Sequence, residues 1–348
     1  VPEFSPKCPI PVADYPRVLL AHGGGGSLMH GLIDRLFAAA FDGLGLQRRA
    51  DAATLTPGAG RLAFTTDSFV VAPLFFPGGD IGSLAVHGTV NDLATAGARP
   101  IAISASYIIE EGLPMEDLWR IATSMAQAAR RCGVQIVTGD TKVVERGKGD
   151  GLFLNTAGVG LIPDGAGWQN EPMAEGDAVL VSGDLGRHGM AVMAAREGLG
   201  FDSTIDSDSA PIHEPVLAMS DAGVAVRCVR DVTRGGLATV LNELAATAGV
   251  TIELDERALQ VRGDVRGACE LLGLDPLYVA CEGRFAAVVA AGDAGLALEV
   301  CRAHPVADGA GIAGTVTAQG PAPLVLRSVA GTRRIVHLLS GEQLPRIC

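Results

Sequence analysis

Between residues 100 and 162 the chain alternates short β-branched runs with one long amphipathic run, and few folds accommodate that alternation. PIAISASYII (100–109) reads as a buried strand. MEDLWRIATSMAQAARRCG (115–133) places apolar residues on one helical face and stops at a glycine, a common helix terminator. VQIVTGDTKVV (134–144) reads as a strand entering a polar loop, and LFLNTAGVGLI (152–162) as another strand. Upstream, HGGGGSLMHGLIDRLF (22–37) reads as a glycine turn and an amphipathic helix. RLAFTTDSFVV (61–71) reads as a strand, a break and a second strand. GSLAVHGTVNDLATAGA (82–98) reads as a helix whose small residues permit close packing.

The turn-rich segment PDGAGWQNEPMAEGD (163–177) marks a boundary. Beyond it follow AVLVSGD (strand), GMAVMAAREGL (helix), PIHEPVLAMSDAGV (helix) and CVRDVTRGGLATVLNELAATAG (loop and helix). VTIELD, GRFAAVVAAGD and RRIVHLL supply the later strands. Helices and strands mix throughout, so the expected class is α/β followed by α+β. The expected divisions are an N-terminal segment 1–60 with the glycine-rich loop, a domain 61–163, a second domain 170–339 and a mobile tail 340–348.

A chain of 348 residues fits about two domains. Hydrophobic residues make up 48%, ample for packed cores, yet no run approaches the ~18–20 apolar residues of a membrane span. The start, VPEFSPKCPIPVADYP, lacks a basic-then-apolar signal pattern, so a cytoplasmic location without membrane association is expected. The net charge of −12 argues against a nucleic-acid footprint, which needs a basic face. The seven cysteines form no CxxC pair, which argues against a zinc site and for reduced, mostly buried thiols.

Cys348 stands apart from the other six because it ends the sequence, in LPRIC, where no core is expected to receive it. Asp67 (TTDSF), Asp92 (VNDLA) and Asp140 (TGDTK) lie where apolar elements meet polar turns, a usual place for functional carboxylates. Read alone, each is more often a turn or cap residue. Lys142 follows Asp140 and could meet a phosphate or simply be solvated. The glycine run 23–26 could wrap phosphates with its N–H groups, but it is neither GxxxxGK[ST] nor GxGxxG. Asp231 and Arg234 precede a helix, where an anion could bind or Asp231 could cap. Glu282, in ACEGRF, is a lone carboxylate.

Taken together, LAHGGGG, FTTDSFVVAPLFFPGGDIGSLAVHGTVNDLATAGARP, IVTGDTKVVERG, LFLNTAGVG, VRDVTRGGLATVLNELA, CEGRF and PRIC resemble the HypE family of hydrogenase expression/formation proteins. DxxxRGGL and the NDLA string are shared with the wider aminoimidazole ribonucleotide synthetase superfamily. The resemblance implies a two-domain fold with N-terminal sheets paired in a homodimer and ATP in a cleft near that interface. It implies that Cys348 accepts a carbamoyl group from a HypF-like carbamoyltransferase. ATP then drives dehydration to a thiocyanate, whose cyano group passes through a HypC–HypD scaffold to the iron of [NiFe] hydrogenase. Asp67, Asp92 and Asp140 would hold Mg²⁺ on the phosphates, with Asp80 assisting. Lys142 would contact the transferred phosphoryl group or the carbamoyl oxygen, and Glu282 would accept the N–H proton. His22, Gly23, Gly24 and the rest of the glycine run would cover the phosphates, and Asp231 and Arg234 would touch the nucleotide. From Ser340 the tail reaches on the order of 25–30 Å, enough to swing between partner and cleft.

Other readings remain open on the residues alone. Selenophosphate synthetase-like and thiamine-monophosphate kinase-like enzymes share the NDL and TGD elements. Cys8 follows Lys7 where the selenophosphate pattern wants the reverse order, and neither rival explains PRIC. A non-catalytic carrier, with the nucleotide only ordering the tail, is a reading of a different class.

Overall fold

The computed structural model describes residues 15–23, 27–43, 55–164, 168, 172–198, 205–318, 320, 322–338, 344 and 346–348. A short 3₁₀ turn, Leu20–Gly23, precedes α1 (Ser27–Leu32), which continues through a π-helical turn, Ile33–Phe37, into α2 (Ala38–Ala40). The remaining N-terminal elements are β1 (Arg61–Phe69), a small hairpin of β2 (Phe75–Phe76) and β3 (Gly79–Asp80), α3 (Ile81–Thr95), β4 (Arg99–Glu110), α4 (Met115–Cys132), β5 (Gln135–Val144) and β6 (Leu152–Ile162). Their main sheet runs in the order β1-β6-β4-β5. The expected break within 61–71 is absent. β1 pairs with β6 without interruption from Arg61↔Ile162 to Phe69↔Leu154, so Asp67 sits inside a strand.

The second half contributes β7 (Ala178–Val181), α5 (Arg187–Glu197), α6 (His213–Asp221), β8 (Val226–Asp231) and α7 (Gly236–Ala248). It continues with β9 (Thr251–Asp255), α8 (Gly263–Leu272), β10 (Phe285–Val289), α9 (Ala294–Arg302), β11 (Gly311–Thr317), β12 (Leu324–Arg327) and β13 (Arg333–Ile335). These strands form one sheet in the order β13-β12-β9-β11-β7-β10-β8. The stretch CVRD, read as loop, belongs to β8, because Ala286 to Val288 of β10 pair with Arg230 to Cys228.

The two sheets meet around α3. Nearly every residue of this helix is buried, which its small side chains permit. A helix apolar on all sides has no solvent face to give up. Asp80 caps it: its carboxylate accepts from the N–H groups of Gly82 (2.7 Å) and Ser83 (3.1 Å). Ser83 Oγ returns a contact to the Asp80 N–H, completing a capping box. Asp80, expected to assist a metal, caps the helix start through Oδ1. α4 packs beside α3 with Leu118, Ile121, Ala122 and Met125 fully buried, and Gly133 ends it in a left-handed conformation (φ 67).

The face of the N-terminal sheet away from α3 is open, with an apolar patch at the start of β1. Leu62 is 60% and Phe64 72% exposed, side by side on β1 and next to Leu161 and Val159 of β6 in register. Scattered apolar residues on a surface are ordinary, but a neighbouring set on one sheet face is a candidate contact surface.

Leu118 anchors α4 in the N-terminal core with no exposed surface. Leu118→Ala is expected to lower unfolding free energy by about 2–5 kcal/mol through lost burial and an unfilled cavity. Urea denaturation followed by circular dichroism measures this directly.

Candidate functional site

Asp67 and Asp92 converge on one side of the N-terminal sheet. Asp67 shares the helix-facing side of β1 with Phe69, and its Oδ2 lies close over Gly88 of α3. One helical turn on, Asp92 Oδ2 accepts from Thr65 Oγ1 at 2.8 Å. Asp231, at the end of β8, approaches the same pair from the other domain. Burial pushes the Asp67 carboxyl up to about 6, despite the Ser68 N–H it accepts, and the Asp92 charge adds to the rise. Burial raises Asp92 as well. Asp231 is pushed up to about 7, by burial first and then by Asp92 and Asp67.

Glu282 and Cys348 complete this centre. Glu282 lies in the turn before β10 and is fully enclosed; burial drives its carboxyl well above the ordinary value, with Asp231 and Asp67 adding to the effect. Its backbone N–H donates to Asp208 Oδ1 at 3.1 Å. At Gly283 any Cβ would stand 1.9 Å from the Asp208 carbonyl oxygen, so only glycine lets these two loops touch. Arg284 braces the turn through Asp184 (2.5 Å) and the Val306 carbonyl (3.0 Å). The Cys348 thiol lies beside Glu282; burial and then the Glu282 charge push its pKa far up, against the pull of Arg234. A thiol so held is protonated and a poor nucleophile.

The tail read as a mobile arm is seated here at residues 344 and 346–348. The Val70 N–H donates to the Cys348 carbonyl oxygen (3.1 Å) and the Ala72 N–H to the Arg346 carbonyl (3.3 Å). Ile347 is 2% exposed and joins the N-terminal core. Arg346 pairs with Asp150 at 2.8 Å.

Asp140 and Lys142 lie elsewhere. They alternate with buried Thr141 on β5, the opposite edge strand of the sheet from β1. Asp67 and Asp140 are thus separated by three strand spacings, roughly 14 Å along the sheet. Lys142 Nζ contacts Asp140 Oδ1 at 2.9 Å, with both side chains more than half exposed. That hydrogen bond holds the Asp140 carboxyl below its ordinary value. Within one chain the three aspartates therefore do not surround one ion, and among the described residues no group of three or more His, Cys, Asp or Glu is arranged to hold one.

His22 and Gly23 belong to this second group. His22 is buried, and its Nδ1 accepts from the Leu19 N–H at 2.9 Å. A Cβ on Gly23 would meet the Val143 backbone nitrogen at 2.6 Å, so the turn leans directly on β5. Gly24 lies outside the described residues. A cavity of ≈ 120 Å³ opens beside Asp140, walled by Ile33, Phe37, Tyr107 and Ile136.

Known proteins share this sequence and fold. The AIR synthase related protein N-terminal domain matches residues 49–162, and the corresponding C-terminal domain matches 174–325. Carbamoyl dehydratase HypE of Azotobacter vinelandii is 53% identical over 331 residues, 95% of this chain and 97% of that protein. The chain belongs to the HypE family. The Escherichia coli HypE is 46% identical over 95% of this chain and 99% of its own length. A solved HypE in complex with ATP superposes with a TM-score of 0.90 at 44% identity, covering 95% of this chain and 99% of that one. A HypE–HypF complex matches at 0.77 and 46% identity, covering 90% and 100%. Thiamine-monophosphate kinase of Stenotrophomonas maltophilia, at 20% identity and 0.63, shares the fold alone.

Several residues shaping this HypE site escaped the sequence reading. Arg284 stood within CEGRF, one of the matched strings, and could have been found there. Asp208, His188 and Arg196 lie in stretches without a chemical signal, and only the packed structure brings them to the centre.

The raised carboxyl of Asp231 has a stability consequence. Its folded value exceeds its unfolded one, so the folded chain holds a proton longer and loses stability as pH climbs from about 4 through 7. Asp231→Asn removes that loss. The Tm advantage of this variant over the parent is expected to widen between about pH 4 and pH 7 and then level off in thermal melts; a constant difference across that range refutes the assignment.

Proposed function

We propose that this chain is an ATP-dependent carbamoyl dehydratase of [NiFe] hydrogenase maturation, acting on its own Cys348. The observation that carries the reading is the tail seated by backbone hydrogen bonds with the Cys348 thiol buried near Glu282, Arg234 and Asp67. A structural cysteine needs no such company. The HypE solved with ATP and the HypE–HypF complex support ATP as co-substrate and a HypF-like carbamoyltransferase as donor.

The chemistry follows from the groups present. In the S-carbamoyl form, R–S–C(=O)–NH₂, the oxygen leaves poorly as hydroxide. Transfer of the γ-phosphoryl group of ATP to that oxygen makes phosphate the leaving group. Loss of the two N–H protons, one on forming the phosphorylated imidate and one as phosphate departs, then forms C≡N, so thiocarbamate and ATP become thiocyanate, ADP, phosphate and a proton. Glu282 takes one of these protons: it lies beside Cys348, and burial raises its pKa, which strengthens it as a base. Arg234, exposed at the turn before α7, offsets phosphate charge there.

The crowded carboxylates fit Mg²⁺ bound with nucleotide. Mg²⁺ keeps several waters and takes one or two carboxylates beside phosphate oxygens, so it does not need an all-protein cage. Asp67 and Asp92, whose mutual repulsion a dication relieves, would hold it, with Asp231 behind. Bound there, it would neutralise charge on the phosphates. Asp140 and Lys142, with the His22–Gly23 turn, serve the nucleotide from the other edge of the sheet. Pairing of the open apolar faces around Phe64 in a homodimer brings that edge toward the partner protomer's cleft. The cyano group passes on to a HypC–HypD scaffold.

Cys348→Ala is expected to bind ATP with unchanged affinity and to form no thiocyanate with carbamoyl donor and ATP, as read by mass spectrometry of the tail peptide. Turnover at the parental rate rules out the proposed function. Glu282→Gln is expected to accept the carbamoyl group and to stall before the nitrile. Infrared detection of a C≡N stretch at the parental rate in this variant would remove Glu282 as the base.

A further inference from the structure

The Cys348 thiol reaches Glu282 only because something holds the preceding backbone, and two side chains of α5 do so. His188 Nε2 lies 2.9 Å from the Ile347 carbonyl oxygen. Arg196 Nη2 donates to the Arg346 carbonyl at 2.6 Å, while its Nε donates to the Ala72 carbonyl at 2.8 Å. Residues 188 and 196 stand eight apart, two helical turns, and so share one face of α5. Two successive carbonyls of the tail are thereby taken by two donors on one helix.

The tautomer of His188 follows from its partners. A carbonyl only accepts, so Nε2 carries the hydrogen. Nδ1 is then the acceptor and faces Ser207 Oγ at 2.8 Å, so the hydroxyl donates to the ring. Ser207 Oγ in turn accepts from the Ser209 N–H at 3.0 Å, and the Ser207 N–H donates to the Pro77 carbonyl at 2.8 Å. Every polar atom of this relay has a partner and one role. The Phe76 ring stands edge-on to the imidazole, centroids 5.3 Å apart, and closes off its side. The imidazole is fully buried, and burial lowers its pKa, which keeps the ring neutral as this relay requires.

We propose that α5 is the docking helix of the catalytic tail, with His188 and Arg196 as positioning residues that read backbone carbonyls 347 and 346 and so hold Cys348 against Glu282. Because the donors address backbone rather than the thiol, they grip free and carbamoylated tails alike. The inference rests on the proposed function for its purpose, but its geometry can be tested apart from it.

The test uses the full chain with Mg²⁺·ATP. Alkylation of Cys348 by iodoacetamide, followed by mass of the tail peptide, reports docking without reference to catalysis. Single-turnover thiocyanate formation from carbamoylated protein reports the chemical step. His188→Ala and Arg196→Ala are each expected to speed alkylation and slow thiocyanate formation by about tenfold or more, the effect of one lost buried hydrogen bond. ATP affinity and carbamoyl uptake from the donor should not fall, a split that general loosening of the fold would not produce. His188→Gln, whose amide can still donate to the Ile347 carbonyl, should recover most of both rates. If His188→Ala does not fold, Arg196→Ala decides alone. Parental alkylation and turnover in the folded alanine variants overturn the inference. Slow alkylation in the parent with no thiocyanate formed would instead sink the proposed function and leave the docking intact.

Discussion

Burial of α3 on all sides is the constraint from which the site follows. The helix is too apolar and too small-featured to face water, so both sheets close on it. Its Asn91 side chain ties the halves together, donating to the Ala210 carbonyl and accepting from the Ile212 N–H at 2.8 Å. Gly88 lets β1 approach closely enough for Asp67 to lie over the helix, and Asp92 follows one turn later. The carboxylates therefore gather at a domain junction, where α/β folds often place ligands.

Gathering acids in a partly dry cleft raises their pKa values, because charge is costly there and each neighbour adds repulsion. Asp67, Asp231 and Glu282 all move upward for these reasons. The free protein thus stores unfavourable electrostatics that a phosphate-bound cation, or a proton drawn from substrate, can relieve. In the proposed reaction, the burial that raises Glu282 also keeps water from the phosphorylated intermediate.

The docked tail resolves a conflict in the use of one thiol. Acceptance of a carbamoyl group needs an exposed, reactive sulfur, whereas dehydration needs the modified sulfur enclosed. In the docked state burial and Glu282 keep Cys348 protonated. Its attachment relies mainly on backbone hydrogen bonds to Val70, Ala72, His188 and Arg196 and on one buried isoleucine, Ile347. Such a set of contacts can be broken and remade without unfolding either sheet.

Much of the fold was legible locally. The helix over 115–132, its glycine stop and the strands at 99–110, 135–144 and 152–162 follow from periodicity, because these elements bury one face in a regular pattern. Family strings in the sequence also named Glu282, Asp67, Asp92 and Cys348 as candidates. Periodicity did not reveal that β1 runs unbroken through Asp67, since strand pairing with β6 overrides the polar interruption. Nor could it separate Asp140 from Asp67: strand order, a long-range property, places them on opposite edges of one sheet. Asp80 looked like any other acid beside a glycine turn, and only the N–H groups of Gly82 and Ser83 make it a cap. The sequence by itself determined which side chains could carry the chemistry. The tertiary structure decided which of them meet, and gave His188 and Arg196 their place, because hydrogen bonds to the tail backbone leave no trace in residue type.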